Sequence, residues 1–138
     1  MRKWSDDYNI GVESLDRQHR MLFTLANNFE AALNEGRGAS VYDVLLRTLG
    51  QYIQYHFGVE DRCMQRYHCP VAQQNRDAHA TLTARFAEFQ QRDAEHGFDD
   101  GEACTLMTLI DEWLTNHICS IDVHLRPYVQ SASGGETP

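Results

Sequence analysis

Apolar residues recur at steps of three and four along four long stretches of this chain, and alternation with period two is nowhere sustained between turn residues. The pattern predicts helices and no sheet. A first helix is expected from about Leu15 to Glu35, with Leu15, His19, Leu22, Ala26, Phe29 and Leu33 on one stripe and Gly36 and Gly38 ending it. Ser40 is the expected N-cap of a second helix, with Asp43 in its first turn. Its stripe is Val44, Leu45, Leu49, Tyr52, Ile53, His56, Glu60, Cys63 and Tyr67. Pro70 suits the start of a third helix, roughly Val71 to Glu95, whose stripe is Asn75, His79, Leu82, Phe86 and Phe89 and which Gly97 closes. Asp99, with Glu102 three residues on, is the expected cap of a fourth helix, with Leu106, Leu109, Ile110, Trp113, His117 and Ile121 on its stripe and an end near Leu125.

Connections of four or five residues between helices this long force the chain to fold back each time. The expected fold is therefore all-α, an antiparallel up-down-up-down four-helix bundle, preceded by an N-terminal arm that holds Trp4, Tyr8, Ile10 and Val12. Residues 1–130 form the expected domain, and 131–138, rich in Ser and Gly, read as a flexible tail or a linker, toward a C-terminal signalling domain if the chain is a fragment.

Composition narrows the functional classes. The 138 residues are 42% hydrophobic and 23% charged, the balance of a folded domain. A net charge of −8 without a basic cluster argues against nucleic acid and anionic membranes. No leader or apolar run long enough to span a bilayer is evident, so the expected location is cytoplasmic. The four cysteines, Cys63, Cys69, Cys104 and Cys119, show no Cys-x-x-Cys pairing and read as free thiols without assigned chemistry.

The seven histidines change the picture. His19, His56, His79 and His117, together with Glu60 and Asn75, lie on the apolar stripes, where an ionisable group without a partner costs several kcal/mol. At a rise of 1.5 Å per residue in helices of alternating direction, all of them and Asp122 fall in one layer, between about 5 and 15 Å from the start of the first helix. Four imidazoles and two carboxylates are too many for one closed zinc site and lack the thiolates of an iron–sulfur cluster. Two metal ions bridged by carboxylates suit them better, as helical bundles hold paired iron or manganese. His56 and Glu60, four apart, share a helix face. His117 and Asp122, five apart, are about 140° out of phase, so a widened π-type turn is expected between Cys119 and Ile121. His68 is expected to face solvent, His96 to sit at a helix end, and His124 to pack structurally.

Trp4 with Ile10-Gly-Val, Leu15-Asp-Arg-Gln-His19, His56-Phe-Gly-Val-Glu60-Asp, Met64 and Pro70 ahead of His79, and Trp113-Leu-Thr-Asn-His117-Ile-Cys-Ser-Ile-Asp122 resemble the bacterial hemerythrin family, over about Trp4 to Tyr128. The resemblance implies a four-helix bundle with a non-haem centre of two iron ions that binds dioxygen reversibly. It implies His19 and His56 on one iron, His79 and His117 on the other, and Glu60 and Asp122 as bridges. Leu22, Phe57, Trp113, Leu114 and Ile118 resemble the family's apolar ligand pocket.

The chain departs from the family at one ligand. Five and nine residues after the proline the family has two histidines, and here they are Asn75 and His79. The loss falls on the iron that the family keeps saturated. The Asn75 carbonyl, a water, or Gln74 or His68 swinging in are the candidate replacements. The expected function is an oxygen-binding or oxygen-sensing module, since no acid or base besides the bridging carboxylates stands in the pocket. The alternative is a peroxidase- or oxidase-like or nitric-oxide-handling enzyme that uses the open position near Asn75.

Overall fold

The computed structural model describes residues 4–120 and 122–133, with the side chains of 119–123 and 131–133 outside the described set. Four long helices, α1 (Glu13–Asn34), α2 (Gly38–Arg66), α3 (Ala72–His96) and α4 (Asp100–Ser120), run back and forth as expected. There is no strand among the described residues.

The expected stripes bury. Leu22, Ala26 and Phe29 of α1 share one core with Leu46, Leu49, Ile53 and Phe57 of α2, Leu82, Phe86 and Phe89 of α3, and Leu106, Ile110 and Leu114 of α4, and Leu15 and His19 are buried beyond it. The start of α2 departs from expectation. It begins at Gly38, with Arg37 in the N-cap place, and the Ser40 hydroxyl donates to the Arg37 carbonyl at 2.9 Å instead of capping. A Cβ at Gly38 would stand 2.7 Å from the Leu33 side chain and 2.9 Å from Phe98, so any larger residue here would have to push those side chains aside. Val44, expected inside, is 55% exposed, and the buried stripe runs instead through Tyr42 and Leu46. Stepping back from Leu49 by three and then four residues reaches those two and passes Val44 by. Pro70 stands two residues ahead of α3 and not in its first turn. Asp99 does cap α4, its Oδ2 accepting from the Glu102 amide at 2.8 Å.

The C-terminal end differs most. The α-helical form of α4 continues through Cys119 and Ser120, with no π-type turn among the described residues, and Ile121 lies outside them. A 3-10 turn, Asp122–Leu125, then leads into a further helix, α5 (Arg126–Ser133), which takes up three residues of the stretch read as tail. Leu125 and Val129 join Ile10, Leu15 and Met64 in a second apolar cluster that closes the end of the bundle near His19 and Glu60. Arg126 fastens this closure to the arm, donating to the Asn9 carbonyl at 2.7 Å and to that of Asp7. Asp16 holds the arm from the other side, accepting from the Ile10 amide at 2.8 Å and the Gly11 amide at 3.2 Å.

Two helix ends use the same device. The amide of Arg37 reaches back to the Ala32 carbonyl and that of Gly36 to Leu33, and the amide of Cys69 reaches Met64 while that of His68 reaches Gln65. This doubled closure needs a left-handed residue, Gly36 (φ +75°) in one case and His68 (φ +53°) in the other. His68, exposed in the turn, is thereby fixed as a helix terminator. A side chain in that conformation costs about 1 kcal/mol, so His68→Gly should stabilise the metal-free protein by roughly that amount in urea unfolding. An unchanged midpoint would show that the histidine side chain compensates.

Candidate metal centre

The polar layer expected from the sequence forms around one carboxylate. Glu60 is fully buried, and its two oxygens face different pairs of imidazoles. Oε2 lies 2.7 Å from His19 Nε2 and 3.2 Å from His56 Nε2. Oε1 lies 3.0 Å from His79 Nε2 and 3.6 Å from His117 Nε2, and those two nitrogens are 3.1 Å apart. His19, His56 and Glu60 form one buried group whose ligand atoms all lie within 4.8 Å of one another, and Glu60, His79 and His117 form a second. Each helix supplies one part: α1 His19, α2 His56 and Glu60 one turn apart, α3 His79 and α4 His117.

Two side chains that pattern alone does not assign set the chemistry of the ring nitrogens. Gln18 Oε1 sits 2.8 Å from His56 Nδ1, and Asp61 Oδ1 sits 3.1 Å from His79 Nδ1. Both oxygens can only accept, so both Nδ1 atoms carry the proton and the neutral rings present bare Nε2 lone pairs. A bare nitrogen 3.0 to 3.2 Å from a carboxylate oxygen is repulsive, so a second proton or a metal ion must lie between them. Donors about 2.1 Å from a shared ion and near right angles to each other would stand about 3 Å apart, which suits the His79–His117 spacing. The residues fit a pair of metal ions.

Asn75, also fully buried, turns its Nδ2 to Asp61 Oδ1 at 3.0 Å, while its Oδ1 has no hydrogen-bond partner among the described residues. Gln18 was visible in principle, since it falls between Leu15 and Leu22 on the α1 stripe. Asp61, half-buried beside Glu60, carries no such signal. Asp122 begins the 3-10 turn, and its side chain lies outside the described residues, as does that of Cys119. Gln74, His68, His96 and His124 are exposed, and none joins the cluster.

Without a metal, burial alone would raise the Glu60 carboxyl, but the positive charge of His56 and the hydrogen bonds that His117, His19 and His56 then donate outweigh it and hold the group well below its ordinary 4.5. Phe57 and Trp113, expected in a ligand pocket, act first as walls. Phe57 stacks on His79 at 3.7 Å between ring centroids, and Trp113 stacks on His117 at 4.2 Å. Beside them is a void of about 10 Å³ lined by Leu22, Leu49, Ile53, Leu82, Ile110, Trp113 and Leu114. Leu22, Trp113 and Leu114, expected in the ligand pocket, are among the residues that line this void. Phe57 and Ile118 do not line the void, because nearness to a ligand in sequence does not fix which way a helical side chain points.

Residues 10–129 match the hemerythrin HHE cation binding domain. The chain belongs to the hemerythrin family. The bacteriohemerythrin of Stenotrophomonas maltophilia (strain R551-3) is 31% identical over 117 residues, 83% of this chain and 72% of that protein. The bacteriohemerythrin of Pseudomonas aeruginosa (strain LESB58) is 28% identical over 119 residues, covering 86% and 75%, and that of Clostridium acetobutylicum is 21% identical over 123 residues, covering 86% and 94%. Family and geometry together make the cofactor a non-haem diiron centre.

Removing the metal should leave the buried cluster uncompensated and lower the midpoint of thermal unfolding. A depressed carboxyl contributes stability above its unfolded value, and that contribution is lost as pH falls toward its folded one. Iron should also leave on the acid side, because its imidazole and carboxylate ligands bind it only when deprotonated; a chelator-trapping titration reads this, and equal melting of loaded and stripped protein at neutral pH would refute the coupling. Gln18→Ala should speed iron release about 10- to 100-fold while the helical content holds.

Proposed function

We propose that this hemerythrin-family protein binds dioxygen reversibly at the diferrous form of its centre, as an oxygen-binding or oxygen-sensing protein. The observation that carries the reading is the division of labour on Glu60, each of whose oxygens faces its own pair of histidines. In this reading His19 and His56 hold one iron, His79 and His117 hold the other, and Glu60 and Asp122 bridge them. Relatives named bacteriohemerythrin favour the same class. When bound, the iron pair supplies the redox chemistry that the side chains lack.

The chain's own residues supply the rest. Gln18 and Asp61 hold the imidazoles of His56 and His79 with their lone pairs inward. Phe57 and Trp113 fix two of the ring planes. The seven side chains of the small void exclude water, since an apolar cavity of that size stays dry. Among the described residues no acid or base lines the void, which supports binding over turnover. We place the protein in the cytoplasm, where the free thiols of Cys63, Cys69 and Cys104 suit a reducing compartment. No helix among the described residues is long and apolar enough to cross a membrane.

A second reading, an oxidase- or peroxidase-like or nitric-oxide-handling enzyme, draws on Asn75. An amide is a poorer donor to iron than imidazole, and it leaves the His79–His117 half more open. The two readings part in one experiment. After anaerobic reduction and exposure to air, a carrier or sensor shows a lasting visible band that reverses under argon. An enzyme bleaches at once to the ferric state and consumes added reductant. Asn75→His should retain iron more tightly and slow the loss of the ferrous state in air, and no change in either would make the position a bystander.

A further inference from the structure

Two unlike cavities lie near the centre. One is the small apolar void, and Trp113 is part of its wall. The same Trp113 also lines an open cleft of about 430 Å³ between α3 and α4, whose other lining residues are Gln74, Ala78, Leu109, Glu112, Asn116 and His117. His117 is only 3% exposed, so the floor of the cleft is an imidazole of the metal cluster, and one whose Nε2 lies beside His79 and Glu60 Oε1. Gln74 and Ala78 stand on the α3 turns that carry Asn75 and His79. The cleft thus opens on the half of the centre that holds Asn75, away from His19 and His56.

At that half the protein offers a weak donor. Asp61 engages Asn75 Nδ2, which leaves the fully buried Asn75 Oδ1 as the amide's one uncommitted polar atom. An amide oxygen binds iron less firmly than an imidazole and yields to a small competitor. The rim of the cleft carries two amides, Gln74 and Asn116, and one carboxylate, Glu112, and no cation. That rim repels small anions and admits uncharged molecules.

We propose that the α3–α4 cleft admits a small uncharged ligand, of the size of water, hydrogen peroxide or nitric oxide, to the metal between His79 and His117, where it takes the position that Asn75 does not close. This rests on the assignment of the two histidine pairs to two irons, and it adds a second exchangeable position with its own route. Ligand exchange at this centre is therefore two-sided, dry beside the void and wet through the cleft.

The test uses the loaded protein with nitric oxide as an uncharged probe, added without oxygen to the diferrous form and followed by absorption. Native protein should take up two equivalents per iron pair and Asn75→His one. Ala78→Phe, which fills the cleft, should slow the second uptake at least about tenfold and spare the first. Asn116→Phe, on the exposed rim, should do the same if the first variant does not fold. A chelator gives an independent readout, because the faster of the two iron-release phases should slow with either plug and with Asn75→His. One equivalent in the native protein would overturn the proposal, as would plugs that slow neither uptake nor release. Reversible dioxygen binding is scored separately, so its failure with two equivalents of nitric oxide retained would sink the carrier reading and leave the second position standing.

Discussion

The interior of this bundle is organised by a single carboxylate that no solvent reaches. Glu60 cannot be left ionised in an apolar core without several kcal/mol of compensation, and protonating it would leave four inward imidazoles to satisfy one another. Each helix answers with a nitrogen at the same depth, two per oxygen. That arrangement sets the relative height of all four helices, because moving any one by a single turn would carry its histidine about 5 Å out of reach. The metal centre is therefore part of the packing, as well as the seat of the chemistry.

The same requirement explains why the bundle end near the site is built so tightly. A metal cluster four residues from the start of the bundled part of α1 needs shielding from water below as well as beside it. The arm and α5 provide this by burying Ile10, Leu125 and Val129 against Leu15 and Met64. Asp16 and Arg126 tie the two segments down through backbone groups that would otherwise be left without partners. Charge here serves to satisfy the backbone of the arm, at Asn9, Ile10 and Gly11.

Much of this was legible in the sequence because helical phase is a strong signal and a histidine on an apolar stripe is an expensive choice. The stripes of α1 and α3 placed His19, Asn75 and His79 on the buried side without reference to any neighbour. What phase could not carry was contact between helices. Asp61 lies off the stripe of α2 and matters only because α3 brings Asn75 and His79 within reach of the same oxygen. Gly38 looked like a helix terminator and is instead the first residue of α2, for a reason that resides in Leu33 and Phe98. The last three residues of α5 were hidden by a tail composition that resembles a linker, although Pro127 in the first turn of α5 suits a helix start.

Asp61 also fixes how the amide of Asn75 stands toward the cluster. In an otherwise unsupported place an amide would rotate freely, and its nitrogen would as readily face the cation as its oxygen. Here one carboxylate oxygen accepts from Asn75 and from His79 together, so the amide's orientation and the imidazole's tautomer are fixed by the same atom. The nitrogen of Asn75 is held outward and only its oxygen remains for the interior. The two residues are therefore coupled through Asp61, and the donor strength on that side of Glu60 is set by a side chain that touches neither carboxylate oxygen of the cluster.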